Sequence, residues 1–91
     1  MTTNQPWLVK LERQAEKSLR RLSKNLRGRI RQALHGLGDD PRPHGCIKLT
    51  GHHNLWRIRV GDWRIVYAIY DNELIVVVIE IEPRANAYRN L

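Results

Sequence analysis

Arg57, Arg59 and Arg64 lie within the stretch Leu-Trp-Arg-Ile-Arg-Val-Gly-Asp-Trp-Arg-Ile-Val-Tyr, residues 55–67. Their neighbours interleave with them. Trp56, Ile58 and Val60 alternate with Arg57 and Arg59, and Trp63, Ile65 and Tyr67 alternate with Arg64, Val66 and Ala68. This is the period of a half-buried strand, repeated on either side of Gly61-Asp62. Glycine accepts the positive φ that a tight hairpin turn requires. The pattern predicts a β-hairpin with all three guanidinium groups on one face. A guanidinium stays protonated and presents a planar fork of donors that fits phosphate oxygens. The chemistry such a face suits is the binding of a phosphate backbone. A solvated face pairing with Asp62, Glu73 or Glu80 is the plainer explanation, but three clustered arginines favour the phosphate reading.

The elements that must hold this face can be traced from the N-terminus. Trp7–Leu11 alternates weakly and predicts a short first strand. From Glu12 the period becomes helical: Leu11, Ala15, Leu19, Leu22, Leu26, Ile30, Ala33, Leu34 and Leu37 recur at three- and four-residue steps. A break at Ser23–Asn25 divides this run into helices over 12–24 and 26–37, with Asn25 as a cap. Gly36 and Gly38 end the pair, and Asp39, Asp40, Pro41 and Pro43 keep the chain from continuing. Residues 38–53 are expected as loop. Strands follow over 54–60, 62–70 and 73–81, with Asp71-Asn72 as the second turn. Leu74–Ile81 is almost continuously apolar, which predicts a central strand covered on both faces, and Pro83 stops it. Trp56 and Trp63 fall on the core side. The order predicts an α+β domain: an N-terminal strand, a helical hairpin, then a C-terminal three-stranded meander in a mostly antiparallel sheet, with the helices on one face.

Composition narrows the class of partner. The chain has 91 residues, enough for one domain over 1–91, and 16 Lys and Arg against 9 Asp and Glu give a net charge of +7. Such a balance favours a polyanion or an acidic protein. The lone cysteine, Cys46, excludes an internal disulfide and suits a reducing compartment. With no apolar leader and no run of membrane-spanning length, a cytoplasmic location is expected and a membrane partner is not. His35, His44, His52 and His53 match no metal-ligand spacing. They read as exposed residues, and neither metal nor cofactor is expected.

Two segments carry a resemblance to a known family: Lys48-Leu49-Thr50-Gly51 followed by the hairpin, and Pro83-Arg84-Ala85-Asn86-Ala87-Tyr88. With the element order, they make the chain similar to the RelE/ParE toxin superfamily, and more to its RelE ribonuclease branch. The hairpin is shared among branches. Arg84 followed four positions later by Tyr88 points to RNA cleavage. The resemblance implies a type II toxin that enters the ribosomal A site and cuts mRNA without a metal. It also implies a cognate antitoxin, through which the complex would bind its operator DNA. Residue by residue, the family site falls on Arg57, Arg59, Arg64, Arg84 and Tyr88, and Lys48 joins the phosphate-binding set. Arg64, Arg84 and Tyr88 would be catalytic, with Tyr88 activating the 2′-oxygen; Glu80 or Glu82 could do this instead, though nothing in the family motif supports them. Arg57, Arg59 and Lys48 would hold RNA phosphates. Two positions depart from the pattern: Arg57 and Arg59 replace lysines, and Glu82-Pro83 stands where a glycine and a basic residue are usual. The basic residues of the helical hairpin, balanced only by Glu12 and Glu16, would face rRNA or the antitoxin. The alternatives are a ParE-like inhibitor of DNA gyrase without nuclease activity, and a degenerate member that only binds RNA or antitoxin.

Overall fold

The computed structural model describes residues 5–83. The elements run β1 (Leu8–Leu11), α1 (Arg13–Arg20), α2 (Lys24–Asp39), β2 (Ile47–Lys48), β3 (Trp56–Val60), β4 (Trp63–Tyr70) and β5 (Ile75–Pro83). They form one five-stranded sheet in the order β1-β5-β4-β3-β2, with β1 parallel to β5 and every other pair antiparallel. Both helices pack on one face. Their buried side chains Ala15, Leu19, Ile30, Leu34 and Leu37 meet Ile65, Tyr67, Ile69, Val76, Val78 and Ile81 from the sheet. The predicted α+β architecture is therefore present.

The helix boundaries differ from the sequence expectation. α1 stops at Arg20, and the break is capped by Ser23 rather than Asn25: the Ser23 hydroxyl accepts from the Leu26 amide at 3.4 Å. A serine just outside the first turn can satisfy an amide that the helix itself leaves unpaired. α2 then continues through Gly36 and Gly38 to Asp39. Gly38 serves the approach of the N-terminal segment instead of ending the helix. A Cβ there would lie 2.7 Å from the Gln5 side chain, and the Trp7 amide donates to the Gly38 carbonyl at 3.2 Å.

The sheet carries two further corrections. The expected loop contains β2, whose two residues pair with Arg57 and Trp56. The second concerns the apolar run in β5. The central strand of five is β4, where Ile65, Val66, Tyr67, Ala68 and Ile69 are all at most 4 % exposed. β5 lies between β1 and β4 and contains a bulge. Glu80 pairs with Val66 but Val78 pairs with Tyr67, so Ile79 is unpaired in this register. The extra residue changes which parity faces the core. Ile81 points inward on one side of Ile79, and Val78 and Val76 point inward on the other. The unbroken apolar composition accommodates both phases and conceals the shift.

The long connection between α2 and β3 is tied to the sheet by specific polar contacts. The buried Tyr67 hydroxyl donates to the Pro41 carbonyl at 2.7 Å, and Asn54 donates to the Ile69 carbonyl at 2.7 Å. Arg42 makes two 3.0 Å bonds to the Asp71 carboxylate and lies 4.9 Å over the Trp56 ring. Burial above all pushes the Tyr67 hydroxyl pKa well up, and the hydrogen bond from Arg42 holds the Asp71 carboxyl below its ordinary value. Tyr67 is therefore a neutral donor that anchors the connection.

Candidate functional site

The β3–β4 register decides where the arginines meet. Arg59 is directly opposite Arg64, and Arg57 is opposite Val66. Since Trp56, Ile58, Val60 and Ile65 face the core cluster, the three arginines share the face turned away from the helices. Opposed like charges on neighbouring strands are unfavourable. That cost is not required by the hairpin, whose core side already specifies its register.

The next strand supplies the counter-charge. Glu82 is opposite Arg64, and Glu80 is opposite Val66. Two rows result: Arg59–Arg64–Glu82, and Ile47–Arg57–Val66–Glu80. Arg64 Nη2 reaches Glu82 Oε2 at 3.3 Å, with side-chain exposures of 27 % and 20 %. The Arg64 Nε is buried and has no hydrogen-bond partner among the described residues. Arg64 is thus held by one carboxylate while part of its donor fork is unused. Glu80 and Glu82 are also in contact. The hydrogen bond between them, then partial burial and the Glu82 charge, raise the Glu80 carboxyl above its ordinary value, against a downward pull from Arg64.

The expected site residues are distributed unevenly. Arg57, Arg59 and Arg64 are brought together as predicted. Lys48 is on the opposite side: it pairs with Trp56, and its ammonium lies 5.8 Å from that indole ring. The alternation of β2 places Ile47, not Lys48, beside Arg57. Arg84 and Tyr88 lie outside the described residues. Sequence reading passed over two neighbours of the cluster. His44 and the half-exposed Ile47 line a concavity of about 390 Å³ with Arg57 and Arg59, placed there by the tied-down connection. Glu80 and Glu82 border a second cavity of about 460 Å³, between the α1–α2 connection and β5, lined also by Arg21, Leu22, Leu26 and Trp63. The sequence already names Glu80 as a possible ion-pair partner of the arginines and Glu82 as an acid beside the site; the structure adds which arginine each one opposes.

The fold is a small α+β domain with a cluster of arginines on the sheet face turned away from the helices. The sequence model for the ParE toxin of the type II toxin-antitoxin system parDE matches residues 9–88, so the chain belongs to this family, within the RelE/ParE superfamily. A protein of Methanocaldococcus jannaschii named as toxin RelE1 is 24 % identical over 85 residues, covering 90 % of this chain and 94 % of that protein. The archaeal RelE–RelB complex from Pyrococcus horikoshii contains a chain that superimposes with a TM-score of 0.77 at 28 % identity, over 87 % of this chain and 96 % of that one. The intact Escherichia coli RelBE toxin-antitoxin complex gives 0.75 at 24 % identity, over 85 % and 95 %. The RelE-like fold and membership among type II toxins follow.

Proposed function

We propose that this toxin is a ribosome-dependent mRNA endonuclease that cuts in the A site. The observation that supports this reading best is the registered Arg59–Arg64 pair with Arg57 on the same face. Among the described residues Glu82 bridges to Arg64 but no carboxylate bridges to Arg57 or Arg59, so the remaining positive charge favours an anion laid across the face. In the proposed reaction a ribose 2′-oxygen attacks the adjacent phosphorus and the bond to the 5′-oxygen breaks, leaving a 2′,3′-cyclic phosphate and a 5′-hydroxyl. Arg64, joined by Arg84, stabilises the charge that develops on the phosphoryl oxygens. Arg57 and Arg59 hold the flanking phosphates and turn the strand toward in-line geometry. An arginine cannot accept the 2′ proton at neutral pH. The resemblance makes Tyr88 one candidate for that step, and a carboxylate on β5, Glu80 or Glu82, is the other.

The partner proposed for restraint is a cognate antitoxin with an acidic segment, laid as helix or strand across the sheet and the helical hairpin. The solved complexes of the archaeal and bacterial RelE chains support this. A second reading, inhibition of DNA gyrase without RNA cleavage, has one specific observation in its favour: the matching family model is that of ParE. Primer extension on a translated mRNA after induction separates the two. Cuts inside the reading frame are expected. Intact mRNA together with inhibition of supercoiling by purified gyrase would replace the nuclease reading with the second one.

A further inference from the structure

We propose that Glu80 is the proton acceptor of the cleavage step, with Glu82 and Arg64 as the residues that position it. This inference rests on the nuclease reading and specifies its chemistry. A metal-independent attack by a 2′-hydroxyl needs a group beside the phosphate-binding arginines that can exchange a proton near neutral pH. Among the described residues of the arginine face, Arg57, Arg59 and Arg64 are permanent cations, the carboxylates adjoining them are Glu80 and Glu82, and His44 meets Arg57 and Arg59 in a concavity that Arg64 does not line. The two differ in their surroundings. Glu82 is opposite Arg64 and is engaged by its guanidinium at 3.3 Å. Glu80 is one step further along β5, opposite Val66, and is exposed where Glu82 is partly buried. It borders the 460 Å³ cavity on the helix side of the sheet, and its own exposure opens it to a ligand on the arginine face.

The charged groups around Glu80 have opposing effects. Glu82, on the same strand, favours a proton on Glu80, Arg64 on β4 disfavours it, and Arg21 lines the same cavity from the α1–α2 connection. The balance favours the proton, with the Glu80 carboxyl above its ordinary value, the direction that suits a general base. In the step, the 2′-hydroxyl proton passes to the Glu80 carboxylate. The 2′-oxygen bonds to phosphorus, the phosphorus–5′-oxygen bond breaks, and the leaving oxygen takes a proton from solvent.

The test is single-turnover cleavage on programmed ribosomes between pH 5 and 9, roughly the range over which a tuned acid or base titrates, with ribosome binding and a thermal melt measured in parallel. Glu80→Gln should cut at least about 100-fold more slowly at neutral pH, while remaining folded and binding ribosomes at least as tightly as the wild type. Glu82→Gln should move the acid limb of the pH profile to lower pH, because a neighbouring negative charge is gone, whereas a merely structural role would lower the rate without moving that limb. A folded Glu80→Gln variant with a wild-type rate and pH profile would overturn the assignment, as would parallel loss of binding and rate. If the wild type cuts nothing on ribosomes under any of these conditions, the nuclease reading itself fails.

Discussion

At the scale of single residues, Arg64 differs from the two arginines beside it. Arg57 and Arg59 are on β3, next to a short edge strand, whereas Arg64 is on the central strand and is flanked by Arg59 on one side and Glu82 on the other. Arg64→Ala and Arg84→Ala should each reduce single-turnover mRNA cleavage about 10²- to 10³-fold, roughly 2.7–4 kcal/mol, with the fold retained. Tyr88→Phe keeps the ring and removes only the hydroxyl. With Glu80 as the proton acceptor, it should cleave at close to the wild-type rate. Glu80 also has a thermodynamic signature. Its carboxyl is held above the ordinary 4.5, so the folded protein binds this proton more tightly than the unfolded chain does. The resulting stability is present below that ordinary value and is lost as pH rises through the raised one. Glu80→Gln should therefore melt at a higher temperature than the wild type at neutral pH and at the same temperature below pH 4.5. An ionised Glu80 that lowers stability at neutral pH is consistent with a residue kept for function.

At the scale of elements, the site depends on two departures from regular strand geometry. One is the bulge at Ile79. It lets Val76 and Val78 face the core while Glu80 and Glu82 face the arginines. Deleting Ile79 forces a single phase on β5, so either the two valines or Ile81 must leave the core. Urea denaturation should show a loss of several kcal/mol, since each displaced aliphatic side chain contributes about 1.5–3 kcal/mol when buried. The other is the hairpin tip. Gly61 has φ +60°, and a Cβ there would lie 3.1 Å from the Arg29 guanidinium of α2. A left-handed residue with a side chain costs about 1–2 kcal/mol, partly offset by reduced entropy of the unfolded chain. Gly61→Ala should lower stability by about 1 kcal/mol and weaken RNA binding, because the turn aligns Arg59 with Arg64.

At the scale of the whole molecule, the net charge of +7 governs encounter. Steering between oppositely charged surfaces is screened within about 10 Å at 0.1 M salt. The association rate with an acidic antitoxin peptide should therefore fall steeply between low and physiological ionic strength, as stopped-flow fluorescence of the tryptophans would report. A rate indifferent to salt would remove charge from the account of partner choice. Induction without antitoxin should stop growth by halting translation, measured as loss of amino-acid incorporation before any loss of DNA integrity.

The period of Trp56–Val60 and Trp63–Tyr67 determined the hairpin and the common face of its arginines, because alternation along a strand is a local property of the chain. The helical spacing from Ala15 to Leu37 likewise determined two helices with one apolar side each. Which residues oppose one another across strands is not a local property. The parallel docking of β1 on β5, the pairing of Ile47 rather than Lys48 with Arg57, and the meeting of Glu82 with Arg64 all depend on strand order and on one unpaired residue. A run of valine and isoleucine can face a core in either phase, so composition could not locate the bulge. Packing chose the phase that buries Val76, Val78 and Ile81 together, and that choice carried two carboxylates to the arginine face.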